Sequence, residues 1–307
     1  MEHFQYRITP SRFHRGTAKP TDLGFFIQPM LCVPSSMTFS SKLHRAQELA
    51  SSVVCVGLDP DPDLFPDQFR DLPVADAVRR FCKSIVEATH EVVCAYKPNL
   101  AFFEALGRDG LGILEDVLGS IPPDRITIAD GKRGDIGNTA GRYATAVFEN
   151  LSFDACTVSP YMGRDAILPF LAWPEKAAFA LVRTSNSSAD EVQELDVGGI
   201  PLYFRIAHLL ATWSSGEPGE IGFVVGATDT RALADVRDRF PDVPLLIPGI
   251  GAQGGDPEAV MATTAGGTGP ILVNSSRSIL YAGKGVDFAD RARDVTIRLR
   301  DDLNRGR

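Results

Sequence analysis

Two aspartates and a lysine stand close together after an apolar segment and could transfer protons or stabilise charge. They belong to the run Asp130-Gly131-Lys132-Arg133-Gly134-Asp135-Ile136, which directly follows the strand-like segment 126–129. Residues two apart in a strand lie on the same face, so Asp130 and Lys132 should project side by side. Burying charge at a strand end is costly unless the charges neutralise one another or serve chemistry. The run therefore predicts a functional site or a structural salt bridge, with Asp135 near the N-cap of the next helix.

The composition narrows the classes of protein to which the chain can belong. It has 307 residues, of which 44% are hydrophobic, enough for one large core or two small ones. No run of about 18 apolar residues occurs, so no segment is predicted to span a membrane. The formal net charge of -8 argues against a nucleic acid polymer as partner, because binding to a phosphate backbone needs a concentrated basic surface. An anionic substrate must therefore meet a local basic cluster.

The cysteines, histidines and serines offer little chemistry. The five cysteines are odd in number, widely spaced and mostly set in apolar segments, which is typical of buried thiols in a reducing, cytoplasmic compartment. They lack the spacing of metal ligands, so no metal site is predicted. None of the five histidines accompanies a glycine-rich or charged turn, and no G-x-S-x-G motif occurs. Lysine and aspartate remain as the reactive residue types.

The elements that must position these residues begin after a leader. Residues 1–36 are basic, contain several prolines and show no periodicity, so we expect a disordered extension or a start codon placed upstream of Met37. A targeting segment is an alternative, although the apolar core of a secretory signal is missing. Over residues 37–307, eight short β-branched runs alternate with amphipathic helical patterns. This predicts an α/β fold, a single-domain (β/α)8 TIM barrel, with a doubly wound sheet as the alternative.

In such a barrel the active site lies at the carboxyl ends of the strands. Asp59 follows the first predicted strand, Lys97 ends the second, and Asp130 with Lys132 ends the third. Lysines and aspartates thus alternate around the rim, where each charge favours ionisation of its neighbours. The alternation favours a functional site over solvated surface charges.

The last two predicted strands end in residues suited to an anion. Residues 249–254 contain a G-x-G-x-x-G pattern, but no acidic residue ends a strand about 20 residues later, so a dinucleotide site is rejected. Barrels of this class commonly hold phosphate in the loops after strands seven and eight. The glycines should expose backbone N–H groups, and Arg277 should clamp a phosphate dianion.

Together these motifs resemble those of the orotidine 5'-phosphate decarboxylase family, in its bacterial type 2 branch, whose members carry Ala-Asp-x-Lys-Arg-Gly-Asp-Ile-Gly. The resemblance covers residues 40–290. The matching motifs, in chain order, are Gly57-Leu58-Asp59-Pro60, Tyr96-Lys97-Pro98-Asn99, Ala129 to Gly137 with Thr139, Thr184-Ser185-Asn186, Pro248 to Gly255 and Asn274 to Arg277. So many motifs in one order are highly specific.

The resemblance implies conversion of orotidine 5'-monophosphate to UMP and CO2 in de novo pyrimidine biosynthesis, with neither a metal nor an organic cofactor. It implies that Lys97 and Asp130 flank the reacting carboxylate and that Lys132 delivers a proton to C6. Asp135 is implied to come from the partner subunit of a homodimer with an active site shared across the interface. Catalysis would rest on electrostatic stabilisation of a C6 carbanion.

The resemblance also implies a set of substrate-binding residues. They are Asp59 and Asn99 for the ribose, Thr139 for the neighbour's ligand, Ser185 for the pyrimidine, and Gln253 with Arg277 for the phosphate. Residues 187–198 are the expected lid. Relatives commonly place Pro-Gly after Thr-Ser-Asn, whereas this chain has Ser187-Ser188-Ala189, so the lid should differ in geometry.

Two alternative functions remain open. A sugar-phosphate decarboxylase or aldol-type synthase on the same barrel shares an Asp-x-Lys-x-x-Asp run but needs Mg²⁺, so dependence on metal would separate the two. The other is a catalytically inactive barrel that senses nucleotides. The intact rim charges argue against it, because unused buried charge is costly. Lys97 and the Thr184-Ser185-Asn186 turn favour the pyrimidine substrate.

Overall fold

Eight parallel strands close into a barrel in the computed structural model, which describes residues 37–251 and 254–306. In chain order the strands are β1 (Val54–Leu58), β2 (Ala95–Pro98), β3 (Ile126–Arg133), β4 (Ala155–Val158), β5 (Ala177–Arg183), β6 (Glu220–Val225), β7 (Leu245–Pro248) and β8 (Ile271–Ser275). Each strand pairs with its neighbours in sequence, and β8 pairs with β1. The predicted (β/α)8 barrel is confirmed, and the doubly wound alternative is wrong. The predicted extension 1–36 and Gln253 lie outside the described residues.

Helices connect the strands and cover the outside of the barrel. They are α1 (Phe39–Ala50), α2 (Val74–Thr89), α3 (Leu100–Glu104), α4 (Gly110–Leu118), α5 (Gly137–Thr145), α6 (Leu168–Leu171), α7 (Asp190–Gln193), α8 (Leu202–Trp213), α9 (Thr230–Arg239), α10 (Pro257–Thr264), α11 (Arg277–Leu280) and α12 (Phe288–Arg305). Every residue of β1, β2 and β4 is buried. Burial on both faces is expected of parallel strands with side chains inside the barrel and helices outside.

Helix α1 packs against the amino ends of the strands. Its residues Phe39 and Leu43 join a buried cluster with the first residues of several strands. The Phe39 ring meets the Phe179 ring edge to face, with centroids 5.8 Å apart, and the Ser40 N–H donates to Glu220 at 3.0 Å. The helix therefore closes this end, which leaves the carboxyl ends of the strands for a ligand.

Helix α5 follows the charged run that ends β3. Ile136 occupies its N-cap without a side-chain capping bond. Asp135 lies next to this N-cap but does not cap the helix, because its carboxylate accepts the adjacent Ile136 N–H at 2.8 Å. Helix α5 thus begins at Gly137, and a π-helical turn, Ala146–Asn150, directly follows its end.

All four described cysteines are buried, as predicted: Cys55, Cys82, Cys94 and Cys156. Burial raises the pKa of Cys55 to about 12 and also raises the pKa of Cys82 and of Cys156, because a thiolate is poorly solvated there. Cys32 lies outside the described residues. Within the described ranges, none of the helices has the length and apolarity needed to cross a membrane.

Candidate active site

Lys97, Asp130 and Lys132 form one hydrogen-bonded cluster at the carboxyl ends of β2 and β3. Asp130 Oδ2 accepts a hydrogen bond from Lys97 Nζ, and Asp130 Oδ1 accepts one from Lys132 Nζ at 2.7 Å. The side chains of Lys97 and Asp130 are 6% and 9% exposed, whereas that of Lys132 is 52% exposed. The carboxylate therefore lies between two ammonium groups, and Lys132 is the one that solvent or a ligand can reach.

Opposite charges keep the buried pair ionised. Burial alone would raise the pKa of Asp130, but Lys97 and Lys132 outweigh it and hold that pKa well below its usual range. Burial alone would lower the pKa of Lys97, but the carboxylates of Asp130 and Asp59 outweigh it and raise that pKa. Lys97 and Asp130 therefore both remain charged at neutral pH.

A distortion of β3 positions Lys132. Its φ is +44°, in the left-handed region that residues other than glycine seldom adopt, and the register with β4 shifts between Ala129 and Arg133. Thr157 Oγ1 accepts the Lys132 N–H at 2.9 Å and donates to Asp130 Oδ1 at 2.9 Å. One threonine thus fixes the backbone of the lysine and the neighbouring carboxylate. Asp130 and Lys132 do meet as predicted, although not through the simple alternation of a regular strand.

A cavity of about 500 Å³ opens at the carboxyl ends of the strands. It is lined by seven of the ten predicted site residues, which are Asp59, Lys97, Asn99, Asp130, Lys132, Ser185 and Arg277. They follow or end five different strands, so closure of the barrel brings together side chains that are far apart in the chain. The volume is in the range of small-molecule sites.

Two polar side chains on the β1 and β8 side of the cavity have unused acceptor atoms. Asp59 Oδ1 and Asn274 Oδ1 are buried and have no hydrogen-bond partner among the described residues, and both residues line the cavity. Tyr281 holds the loop after β1, since its hydroxyl donates to the Asp59 carbonyl at 2.8 Å and accepts the Asp61 N–H at 2.7 Å. Buried polar atoms without partners are costly, so these oxygens indicate where a polar ligand group binds.

Asn99 lies in the cavity wall at the end of β2 and has a structural role there. Its Oδ1 caps α3 by accepting the Ala101 N–H at 3.3 Å. Its backbone also bridges to Asp130, next to the charged cluster. The side-chain NH2 is therefore the part of Asn99 that a ligand can use.

A tight glycine turn follows β7. Gly249, Gly251 and Gly254 have φ values of +107°, +90° and +83°, which residues with a Cβ rarely adopt. The N–H groups of Gly254 and Gly255 donate to the carbonyls of Gly251 and Gly249 at 3.0 and 3.1 Å. The prediction that these glycines expose their N–H groups is therefore wrong for Gly254 and Gly255, because the turn itself uses them.

Arg277 follows β8, and both it and the start of this turn line the cavity. It is exposed and lines the cavity, and it forms no side-chain hydrogen bond or ion pair with residues 37–251 and 254–306. A Cβ on Gly251 would lie 2.7 Å from Ser278 Oγ, so the loops after β7 and β8 are in direct contact. The guanidinium group is therefore available to an anion at this end.

The predicted lid begins just after β5. Residues 184–186 line the cavity, and the chain then forms α7 within the segment 187–198. Arg183, which is buried at the end of β5, forms ion pairs with α7 and with the residue that follows it. Its Nη2 lies 2.5 Å from Asp190 Oδ1, and its Nε lies 3.0 Å from Glu194 Oε1. Charge pairs therefore hold the start of this segment against the strand end.

Asp135 and Thr139, two of the predicted site residues, do not line the cavity of the single chain. Asp135 is half-buried and Thr139 is exposed, around the start of α5. Ile136, which lies between them in sequence, is 54% exposed. Their contact with a neighbour's ligand therefore stays a prediction.

Thr157, Gln193 and Asn274 are among the residues of the site that were given no role from the sequence. Thr157 lies in an ordinary buried strand, and nothing in the sequence marks it. Gln193 lies in the lid segment, whose fold has no periodic signal. Asn274 did carry a signal, since it is the first polar residue after the apolar run 271–273 of β8.

The described residues offer no evident metal centre. Within 37–251 and 254–306, no three histidine, cysteine, aspartate or glutamate side chains are grouped so that they could hold a metal ion. Both oxygens of Asp130 are instead engaged by lysines. What this arrangement can do is stabilise negative charge and supply a proton, through Lys132.

Comparisons with known proteins agree in family and in fold. Residues 52–292 match the model of the Orotidine 5'-phosphate decarboxylase / HUMPS family. The chain is 48% identical over 272 residues to the orotidine 5'-phosphate decarboxylase of Azoarcus sp., an alignment that covers 87% of this chain and 99% of that protein. The same coverage and identity hold for the protein of that name from Dechloromonas aromatica. The solved structure of Leishmania donovani OMP decarboxylase superposes with a TM-score of 0.73 at 37% identity, covering 87% of this chain and 100% of that one.

Proposed function

Because the chain belongs to the orotidine 5'-phosphate decarboxylase / HUMPS family, we propose that it converts orotidine 5'-monophosphate to UMP and CO2. The family resemblance predicted from the sequence is confirmed, and the chain is an enzyme of the carboxy-lyase class. The observation that carries the substrate assignment is the Lys97, Asp130 and Lys132 cluster, which opens on a cavity that Arg277 also lines, without a side-chain partner among the described residues. It offers a charged centre for a carboxylate and a separate site for a phosphate.

The chemical step needs a cation next to C6 of the pyrimidine. When the bond between C6 and the carboxylate breaks, CO2 leaves and the electron pair stays on C6. The Lys132 ammonium group stabilises this charge and then gives C6 a proton, after which the amine regains a proton from water. Because charge on C6 is more localised than charge on the departing carboxylate, the cation stabilises the transition state more than the ground state.

Asp130 and Lys97 set the field around that proton donor. Asp130 holds the Lys132 ammonium group at 2.7 Å and stays ionised because Lys97 pairs with its other oxygen. A substrate carboxylate that lies beside the Lys97 and Asp130 pair would be repelled by the Asp130 charge, and this repulsion is relieved when CO2 leaves. No step requires a metal ion or an organic cofactor.

Binding away from C6 would supply the energy that holds the substrate in this field. We assign the phosphate to Arg277 and Gln253, the ribose to Asp59 and Asn99, and the pyrimidine to Ser185. The unpartnered Asp59 Oδ1 supports the ribose assignment, because a ribose hydroxyl can donate to it. Closure of residues 187–198 over the bound nucleotide would exclude water.

We assign the protein to a homodimer in which each active site is completed by Asp135 and Thr139 of the neighbouring subunit. Both residues lie outside the cavity of their own chain, which is what contribution to a neighbour requires. The exposed Ile136 between them supports burial of this surface by a second copy. Formation of UMP would support a role in de novo pyrimidine biosynthesis, and the buried thiols support a cytoplasmic location.

The test is decarboxylation of orotidine 5'-monophosphate by the purified protein in the presence of EDTA, followed by loss of the orotate absorbance. Turnover under these conditions establishes the substrate and independence of metal. The family model also includes HUMPS proteins, so a sugar phosphate with Mg²⁺ is the comparison assay, and activity there alone would overturn the proposal. Binding of UMP without any turnover would instead indicate a nucleotide sensor.

A further inference from the structure

Asn186 lines the cavity beside the end of β5, and its neighbours fix the direction in which its side-chain amide faces. It is exposed to the cavity and has had no role so far. The chain of hydrogen bonds that reaches it starts at a backbone N–H, which can only donate. The orientation of each following group can therefore be deduced.

The series of hydrogen bonds runs from Gln193 through Thr184 to Asn186. The Thr184 backbone N–H donates to Gln193 at 2.8 Å, so the Gln193 atom at that position must be the oxygen, Oε1. Gln193 Nε2 then faces the Thr184 hydroxyl at 2.7 Å and must donate to it. The hydroxyl in turn donates a hydrogen bond to Asn186 Oδ1 at 2.6 Å. With its oxygen occupied, Asn186 has its side-chain NH2, a pure donor, left for a ligand.

Gln193 also lines the cavity. Both ends of its side-chain amide form hydrogen bonds with Thr184, so we assign it no direct contact with the ligand. Its place is fixed by the charge pairs of α7 with Arg183. Arg183 also donates to the Thr184 carbonyl at 2.9 Å. The start of the lid and the cavity wall are thus one hydrogen-bonded unit, and Gln193 acts as a positioning residue.

The position of Asn186 in the barrel identifies the substrate atom that it faces. In the closed order β1 to β8, β5 lies opposite β1. If the ribose lies at Asp59, after β1, and C6 faces Lys132, after β3, the ring position farthest from the ribose points across the barrel to β5. In a pyrimidine nucleotide that position is C4, which carries a carbonyl oxygen in orotidine and uridine nucleotides and an amino group in cytidine nucleotides.

We propose that Asn186 is a specificity-determining residue whose side-chain NH2 donates to the 4-carbonyl oxygen of the substrate, and that Gln193 sets this polarity through Thr184. This inference rests on the proposed function, since it assumes that a pyrimidine nucleotide occupies the cavity. A 4-amino group would face the NH2 of Asn186, donor against donor, and a buried donor without a partner is costly. The site should therefore prefer UMP to CMP.

The first experiment measures the dissociation constants of UMP and CMP by calorimetry for the full-length protein and for Asn186→Asp. The carboxylate keeps the shape of the amide but can only accept, so the preference for UMP over CMP should fall at least about tenfold. Comparing the two nucleotides cancels any repulsion between the new charge and the shared phosphate. Asn150→Asp, on an exposed residue that does not line the cavity, is the matched control and should leave the preference unchanged.

The second experiment changes Gln193, which begins the relay of hydrogen bonds that runs from Gln193 through Thr184 to Asn186. In Gln193→Glu the side chain still accepts the Thr184 N–H but cannot donate, so the Thr184 hydroxyl turns to the glutamate and Asn186 turns its oxygen to the cavity. The preference for UMP should fall as in Asn186→Asp, and the double variant should lose little more, because both changes remove one interaction. Thr184→Ser keeps the hydroxyl and should keep the preference.

The outcomes separate this inference from the proposed function. If the protein decarboxylates orotidine 5'-monophosphate but Asn186→Asp keeps the preference for UMP, or the unchanged protein has none, the role of Asn186 is overturned and the function stands. If Gln193→Glu keeps the preference while Asn186→Asp loses it, the relay is overturned. A protein that neither binds UMP nor turns over orotidine 5'-monophosphate overturns the proposed function itself.

Discussion

The two ends of the cavity are built in opposite ways. At the β2 and β3 end, Lys97, Asp130 and Lys132 bind one another, and Thr157 holds both the carboxylate and the lysine backbone. At the β7 and β8 end, the wall is a glycine turn whose N–H groups are partly used internally, and Arg277 extends without a partner among the described residues. The charged centre is complete before a ligand binds, whereas the anion end is completed by the ligand.

The difference follows from what each end must do. A group that stabilises charge in a transition state is most effective when it is already in place, since no free energy is then spent on reorganisation during the reaction. A group that binds a phosphate gains by staying solvated until the ligand arrives, because its binding energy then remains available to drive closure. Substitutions at the first end should therefore change the rate, and substitutions at the second end should change affinity.

The largest effect is expected for Lys132→Ala. Loss of the proton donor and of the positive charge at C6 should lower kcat at least about a thousandfold, while the dissociation constant of UMP changes little. Steady-state kinetics and calorimetry measure the two effects, and Lys83→Ala in α2 is the control for loss of a lysine. A normal kcat in Lys132→Ala would remove the distinction between the two ends.

The next prediction, recovery of activity in hybrid dimers, tests whether the charged end belongs to one subunit alone. Asp135→Ala and Lys132→Ala proteins should each be inactive, and a mixture with exchanged subunits should recover about a quarter of the unchanged activity, because half the dimers are hybrids with one intact site. Mass spectrometry of the intact dimers verifies the exchange. Exchanged hybrids without activity would place the whole site within one chain.

A smaller effect, on affinity alone, is expected at the anion end. Arg277→Ala should weaken UMP binding about 10- to 100-fold, since it removes a charge-assisted contact with the phosphate. Uridine, which lacks the phosphate, should bind both proteins equally. Arg108→Ala, at a side chain that is 97% exposed, is the control. An equal loss for uridine would show that Arg277 does not act through the phosphate.

The last effect is on stability rather than on activity or affinity, and it depends on pH. Asp130→Asn leaves the buried Lys97 without its closest counter-charge and should lower the free energy of unfolding by about 3 kcal/mol at pH 7. Because the pKa of Asp130 is lowered in the folded protein, its stabilisation is present above the unfolded pKa of about 3.9 and is lost as the pH falls towards the folded pKa. Urea unfolding should thus show the difference shrinking below about pH 4.

The titration of Lys97 at high pH and a control variant complete this test. The pKa of Lys97 is raised in the folded protein, so its stabilisation is present below the unfolded pKa of about 10.4 and is lost as the pH rises through the folded pKa. Asp109→Asn, at a side chain that is 69% exposed, should change stability little at any pH. A difference between the Asp130→Asn and unchanged proteins that persists undiminished at pH 2 would contradict the ion-pair explanation.

The sequence predicted the barrel and the position of its rim charges for a simple reason. Strand ends in a closed parallel barrel all face one side, so Asp59, Lys97 and Asp130 had to meet once the strands were identified. It could not predict the bulge at Lys132, because that backbone depends on a hydrogen bond that the Lys132 N–H donates to Thr157 on a different strand. The role of Gln193 was hidden for another reason, since the short helix α7 that contains it shows no periodic pattern in the sequence.

Lys132 itself shows how far the needs of folding and of function can diverge at one position. A left-handed backbone at a residue with a Cβ costs about 1–2 kcal/mol, and glycine or asparagine would adopt that conformation more easily. Directed evolution that selects only for heat resistance would therefore tend to replace this lysine. A library of this protein needs a growth or turnover selection alongside the thermal one, because thermal selection alone would enrich folded barrels that no longer catalyse.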